Sequence, residues 1–154
     1  MIDHNETYMR IALDLAQAAA QAGEAPIGAV IIDPASGEVV AAAHNQPITL
    51  HDPTAHAEIL AIRQAAKARG NYRLTGLRLY VTLEPCAMCA GAISHARLGR
   101  VVFGATDPKG GAVEHGPRFF AQPTCHWRPD ITGDVLAEES SALLRGFFRA
   151  RRQS

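Results

Sequence analysis

No run of apolar residues in this 154-residue chain approaches the ~20 needed to cross a bilayer, so no membrane role is expected. The opening MIDHNETYMR has neither the basic flank nor the apolar stretch of a secretory signal, and a cytoplasmic address is expected. Neither sign of charge is in excess: 15 Lys+Arg stand against 15 Asp+Glu, so composition alone supplies no field that would gather nucleic acid. Only the tail RARRQS is locally basic. Cysteine is scarce and odd in number, three in all, which argues against a disulfide framework. Charged residues are only 19% against 47% hydrophobic, which excludes intrinsic disorder. What remains is a chain of one domain's length, with no internal boundary expected across 1–154.

Along that chain, Thr7 to Ala22 carries Ile11, Leu15 and Ala18 at helical spacing, with Gly23 as a stop. APIGAVIID and VVAAAHN flank the turn PASGE and predict a hairpin with strands Ile27–Asp33 and Glu38–Ala43. Thr54 is the expected cap of a helix through AHAEILAIRQAAKA, which Gly70 ends. LRLYVTL predicts a third strand, PCAMCAGAISHA a short helix with Pro85 in its first turn, and RVVFGA a fourth strand. A helix between the third and fourth strands implies that they are parallel. Asp107 to Pro129 mixes Pro, Gly and aromatics without period and is expected to be an ordered functional loop. A short strand over Asp130–Thr132 and a helix over Val135–Arg149 complete the expected order.

The chemistry concentrates in two short stretches, HAE at 56–58 and PCAMC at 85–89. Catalytic zinc takes three protein ligands tetrahedrally and keeps a fourth position for water, and His56, Cys86 and Cys89 meet that count. Cys86 and Cys89, at i and i+3, fall on one face of their helix, where its N-terminus favours thiolate. His56 and Glu58 do not share a helix face, and need not. The imidazole would reach the ion, while Glu58 would reach a water whose pKa the ion lowers toward ~7 and would carry its proton onward. PCAMC alone would also fit half of a structural zinc site or a redox pair, but no second C-x-x-C accompanies it.

The pairing H-x-E with P-C-x-x-C resembles the signature of the zinc-dependent nucleobase deaminases. PIGAV, HNQPI, HDPTAHAEI, NYRL, LYVTLEPCAMCAGAI, RVVFGATD and FFRARRQ are similar to the bacterial tRNA-specific adenosine deaminases within the cytidine deaminase superfamily. That resemblance implies a three-layer α/β/α cytidine-deaminase-like fold, a mixed five-stranded sheet flanked by helices. It implies one Zn2+ per subunit, a homodimer, and deamination of the wobble adenosine in the tRNA anticodon loop to inosine. It also implies that Asn45 hydrogen-bonds the target base or sugar, that Ala57 offers a backbone amide to the ring, that Ile27 to Val30 line the pocket floor, and that Asp107 lies beside the nucleotide backbone or ribose. The segment 107–129 departs from the tRNA-enzyme pattern, and Gln46, Leu50 and Thr106 stand where basic residues are expected. A deaminase of a free nucleobase or nucleoside, of guanine, adenine or cytosine type, is therefore the second expectation, and a non-catalytic zinc-stabilised module, against which Glu58 argues, the third.

Other residues have simpler readings. Cys125 is expected to be a buried thiol, and His126 no metal ligand. Phe119, Phe120 and Trp127 are candidates for stacking on a base or for packing. Phe147 and Phe148 fit the apolar face of the last helix, Arg149, Arg151 and Arg152 are candidates for phosphate contact, His51 for nucleotide contact, and His115 is expected to be an exposed loop residue.

Overall fold

The computed structural model describes residues 4–152. Five strands form one sheet in the order β2-β1-β3-β4-β5. They are β1 (Gly28–Asp33), β2 (Glu38–His44), β3 (Arg78–Leu83), β4 (Arg100–Ala105) and β5 (Asp130–Thr132). β1 pairs antiparallel with β2 and with β3, whereas β3–β4 are parallel, as the intervening helix α3 requires, and β4–β5 are parallel across the 107–129 loop. Four helices, α1 (Asn5–Gln21), α2 (Ala57–Arg69), α3 (Ala87–Ala96) and α4 (Ala137–Arg152), cover it, with a 3-10 turn at Phe119–Ala121.

The central strands are apolar without alternation because both faces of the sheet are buried. Val30, Ile32, Tyr80 and Val102 pack with Met9, Ala12 and Leu13 of α1 and with Leu143 of α4. Ala29, Ile31, Leu79, Val81, Val101 and Phe103 point the other way, into Ala57 and Ala61 of α2 and Ala90 and Ile93 of α3. α1 lies so close to β1 that a Cβ on Gly28 would fall 2.0 Å from the Ala12 carbonyl oxygen, so this position admits only glycine without moving the helix.

Three expected boundaries change for identifiable reasons. Thr54 does not cap α2: its hydroxyl donates to Asp52 Oδ1 at 2.7 Å, and the helix starts two residues later with an extended His56 (φ −71°, ψ 154°) as its N-cap. Pro85 stands outside the first turn of α3, whose N-cap is Cys86. α4 begins at Ala137 and not at Val135, because Leu136 turns left-handed (φ 53°) after the Asp134 and Val135 amides have donated to the Gly104 and Phe103 carbonyls of β4. α1 also starts earlier than expected, at Asn5.

Candidate metal centre

The sheet brings the N-terminal ends of α2 and α3 together. His56, the cap of α2, places Nδ1 3.6 Å from Cys86 Sγ and 3.5 Å from Cys89 Sγ. The three ligand atoms lie within 4.8 Å of one another, the one such group of His, Cys and acid residues among the described residues. Zinc with sulfur at ~2.3 Å and nitrogen at ~2.05 Å has a tetrahedral N···S edge of about 3.6 Å, so the donor triangle fits that ion.

The electrostatics belong to the cluster as a whole. Cys86 is drawn down to about 4, foremost by the Cys89 thiol and then by the His56 imidazole, against the opposing effect of burial. Cys89 moves up, because the proton shared by the two sulfurs stays on it beside the Cys86 thiolate. His56 is raised by its hydrogen bond to Cys86. Glu58, in the first turn of α2, is only 4% exposed, and burial pushes its carboxyl up to about 7 despite the hydrogen bond from its own amide. A carboxyl poised there can take and return a proton at neutral pH.

The expected pocket residues fare unevenly. Asn45 is buried, and its Oδ1 accepts the Ala57 amide at 2.8 Å. The Ala57 N–H thus already has an acceptor within the protein. Asn45 itself is fixed by donating its own amide to the Ile27 carbonyl, which leaves its Nδ2 as the atom without a partner among the described residues. Ile27 is half-buried on the α2/α3 face with Ala29, but Val30 points to α1 and cannot line a floor shared with them. Asp107 has spent one carboxylate oxygen locally, since Oδ1 accepts the Lys109 and Gly110 amides.

The 107–129 segment is ordered by contacts that the sequence did not announce. His115 is not a free loop residue: its Nδ1 lies 2.8 Å from Glu84 Oε1. Cys125 is buried, its thiol 3.1 Å from the Trp127 carbonyl oxygen, and His126 is exposed. Trp127 donates Nε1–H to the Leu98 carbonyl and faces Arg97, while Phe119 and Phe120 pack on the core, so packing describes all three aromatics. His51 sits exposed in the left-handed region (φ 49°). Phe147 is half-buried, with the Arg151 guanidinium over its ring, and Phe148 is exposed.

Two buried acids were missed. Glu24 accepts the Ile48 and Thr49 amides and the Thr49 hydroxyl, fixing the loop that leads to His56. Glu84, between the apolar run LYVTL and Pro85, takes five donors from the 107–115 loop. Its carboxyl sits below the ordinary value because those donors outweigh burial. The available signal was an acid directly abutting a buried strand, where charge is kept only with partners.

The profile of the cytidine and deoxycytidylate deaminase zinc-binding region matches residues 2–105. The chain is 53% identical over 145 residues to the tRNA-specific adenosine deaminase of Agrobacterium fabrum, covering 94% of each protein, so the likeness runs into the 107–129 segment. A solved structure from work on A-to-I editing by tRNA:A34 deaminases at the wobble position of transfer RNA superposes with a TM-score of 0.87 at 52% identity, over 90% of this chain and 99% of that one. The guanine deaminase of Bacillus subtilis superposes with a TM-score of 0.66 at 35% identity, over 99% of this chain and 96% of that one.

Proposed function

Because this chain belongs to the cytidine and deoxycytidylate deaminase family, we propose that it is a hydrolase converting the wobble adenosine of tRNA to inosine. The observation that carries the chemistry is the His56–Cys86–Cys89 triangle with buried Glu58 two residues beyond the imidazole. These three residues would hold one zinc per subunit, which would supply a water of lowered pKa. Glu58 takes one proton of the water to the ring nitrogen as the carbon–oxygen bond forms, then takes the second, from the added hydroxyl, to the exocyclic amine. The carbon–nitrogen bond breaks as the carbonyl forms, so one water is consumed and one ammonia released. Asn45 contributes Nδ2 to the base or its sugar, Ile27 packs against the ring, and the Asp107 carboxylate meets a ribose hydroxyl through Oδ2.

The extent of the likeness to the Agrobacterium enzyme supports tRNA as the substrate. So does a groove beside the C-terminal half of α4, lined by Lys109, Arg149 and Arg152, with Leu144, Phe148 and an Arg145 paired to Glu138, whose charge suits a phosphate backbone. Arg151 is otherwise engaged, donating to the Gly23 carbonyl. An anticodon loop also presents its bases already outside a duplex, which lowers the cost of extracting one. We read the enzyme as a homodimer that works where tRNA is found, in the cytoplasm: Tyr72 and Met88 are left 66% and 38% exposed for a second copy to cover, and among the described residues no helix is long and apolar enough to cross a membrane. Sedimentation showing a monomer at working concentration would remove the dimer.

The likeness to a guanine deaminase, with the neutral net charge, favours the second reading, a free-nucleobase deaminase. Zinc-loaded enzyme incubated with an anticodon stem-loop should yield inosine and stoichiometric ammonia. Ammonia from free guanine, adenine or cytosine, with no inosine in the RNA, would reverse the assignment.

A further inference from the structure

Glu84 ends the apolar run of β3 and immediately precedes Pro85 and the metal ligand Cys86. Its side chain is fully enclosed. Oε2 accepts the amides of three consecutive residues, Val113, Glu114 and His115, at 3.1, 2.9 and 3.1 Å. Oε1 accepts the Asp107 amide at 2.9 Å and lies 2.8 Å from His115 Nδ1. Successive backbone amides converging on one point form a concavity suited to an anion, and here a side chain of the same protein fills it. Gly111 is bare for this reason: a Cβ there would stand 2.5 Å from the Glu84 carboxylate. One residue on, the Ala112 amide donates to the Pro85 carbonyl at 2.9 Å. The loop thus grips the two residues directly ahead of Cys86, one by its side chain and one by its backbone.

We propose that the 107–115 loop is a lock on the metal-ligand turn, with Glu84 as the positioning residue that makes loop and turn move together and slows the release of the metal. A carboxylate serving only to stabilise the loop would need no second tie at Pro85, directly ahead of the metal ligand Cys86. The proposal rests on the zinc reading of the site and is independent of which base is deaminated.

The test uses zinc-loaded full-length protein mixed with excess chromogenic chelator, and follows zinc transfer well below the unfolding temperature. Glu84→Gln puts an NH2 where an acceptor stood, and Gly111→Ala pushes a methyl group into the carboxylate from the loop side. Both should lose zinc roughly tenfold or more faster than wild type, the scale on which groups supporting metal ligands act, while hydrogen exchange of the amides of residues 113–115 rises. His115→Ala removes one of the five contacts and should show a smaller increase. Tyr80→Phe removes the hydroxyl that donates to Asn5 Oδ1 on the α1 face of the sheet, away from the metal ligands, and should cost stability while releasing zinc at the wild-type rate. The lock is refuted if the 113–115 amides exchange faster yet zinc leaves no sooner, or if Tyr80→Phe accelerates release equally. Should Glu84→Gln fail to fold, Gly111→Ala and His115→Ala decide the matter by the same criteria. Wild type that retains no zinc would overturn the metal assignment and the lock with it, whereas failure to deaminate any substrate would touch neither.

Discussion

Removing the Asn45 side chain should weaken the fold before it weakens catalysis. Ala57 opens α2, and its amide is one of the first-turn donors that a helix cannot satisfy internally. Thr54 is turned to Asp52 and His56 makes no side-chain capping bond, so Asn45 Oδ1 at 2.8 Å is the acceptor that amide has. Ala57 is fully buried, which keeps water from replacing the lost oxygen. A buried donor left without a partner costs ~1–3 kcal/mol, and loss of a helix cap ~1 kcal/mol by itself. About 2 kcal/mol is therefore expected for Asn45→Ala, or roughly 4–8 °C in Tm for a domain of this size. Urea unfolding should be measured at fixed free zinc, so that metal linkage contributes equally to both proteins. Asn45→Asp keeps the oxygen at a helix N-terminus and should recover about half the loss or more, while still lacking the Nδ2 donor assigned to the substrate. The two variants separate the roles: stability follows the oxygen and the KM defect follows the nitrogen. If Asn45→Ala unfolds within ~0.5 kcal/mol of wild type, the capping argument is wrong.

Glu58→Gln should retain one zinc per chain by elemental analysis while ammonia release falls by at least ~100-fold, since general acid–base groups contribute on that scale; undiminished turnover would take Glu58 out of the chemistry. Glu24 has a folded pKa below its ordinary 4.5, because burial, which pushes it up, is outweighed by the Thr49 and Ile48 hydrogen bonds and the nearby His44. Its contribution is therefore complete above the unfolded pKa and is lost as pH falls through the lower folded value. The stability difference between wild type and Glu24→Gln should shrink as pH falls below about 4.5 in acid titrations followed by circular dichroism; a gap independent of pH would refute it. Gly28→Ala should cost ~1–3 kcal/mol or more in urea unfolding, as the new methyl meets the Ala12 carbonyl and Ala16 nitrogen; a neutral result would mean that α1 yields freely.

The element order was legible because each strand is an apolar run bounded by turn residues and each helix a periodic one, and those local patterns survive folding. Boundaries were not legible where a distant partner intervened. Thr54 has the chemistry of a cap, and only Asp52's prior hold on its hydroxyl disqualifies it. Val135 continues a helical pattern, but it bonds to the Phe103 carbonyl of β4 and Leu136 then turns left-handed.

The same division runs through the site. His56, Glu58, Cys86 and Cys89 could be named from sequence because metal ligation and proton transfer admit few residue types, and their spacing of two and three residues follows from helix starts. Glu84, Glu24 and the true partner of Ala57 could not, since an acid or an amide acquires its role from whichever backbone is folded against it. Local chemistry fixed which atoms could hold a metal; the packing of the 107–115 loop onto the turn at Glu84 and Pro85, with its bonds to Glu84 spanning 23 to 31 residues along the chain, decided what holds those atoms still. Such contacts depend on how distant segments converge, and backbone amides, which every residue of the loop but proline carries, leave no pattern in the residues themselves.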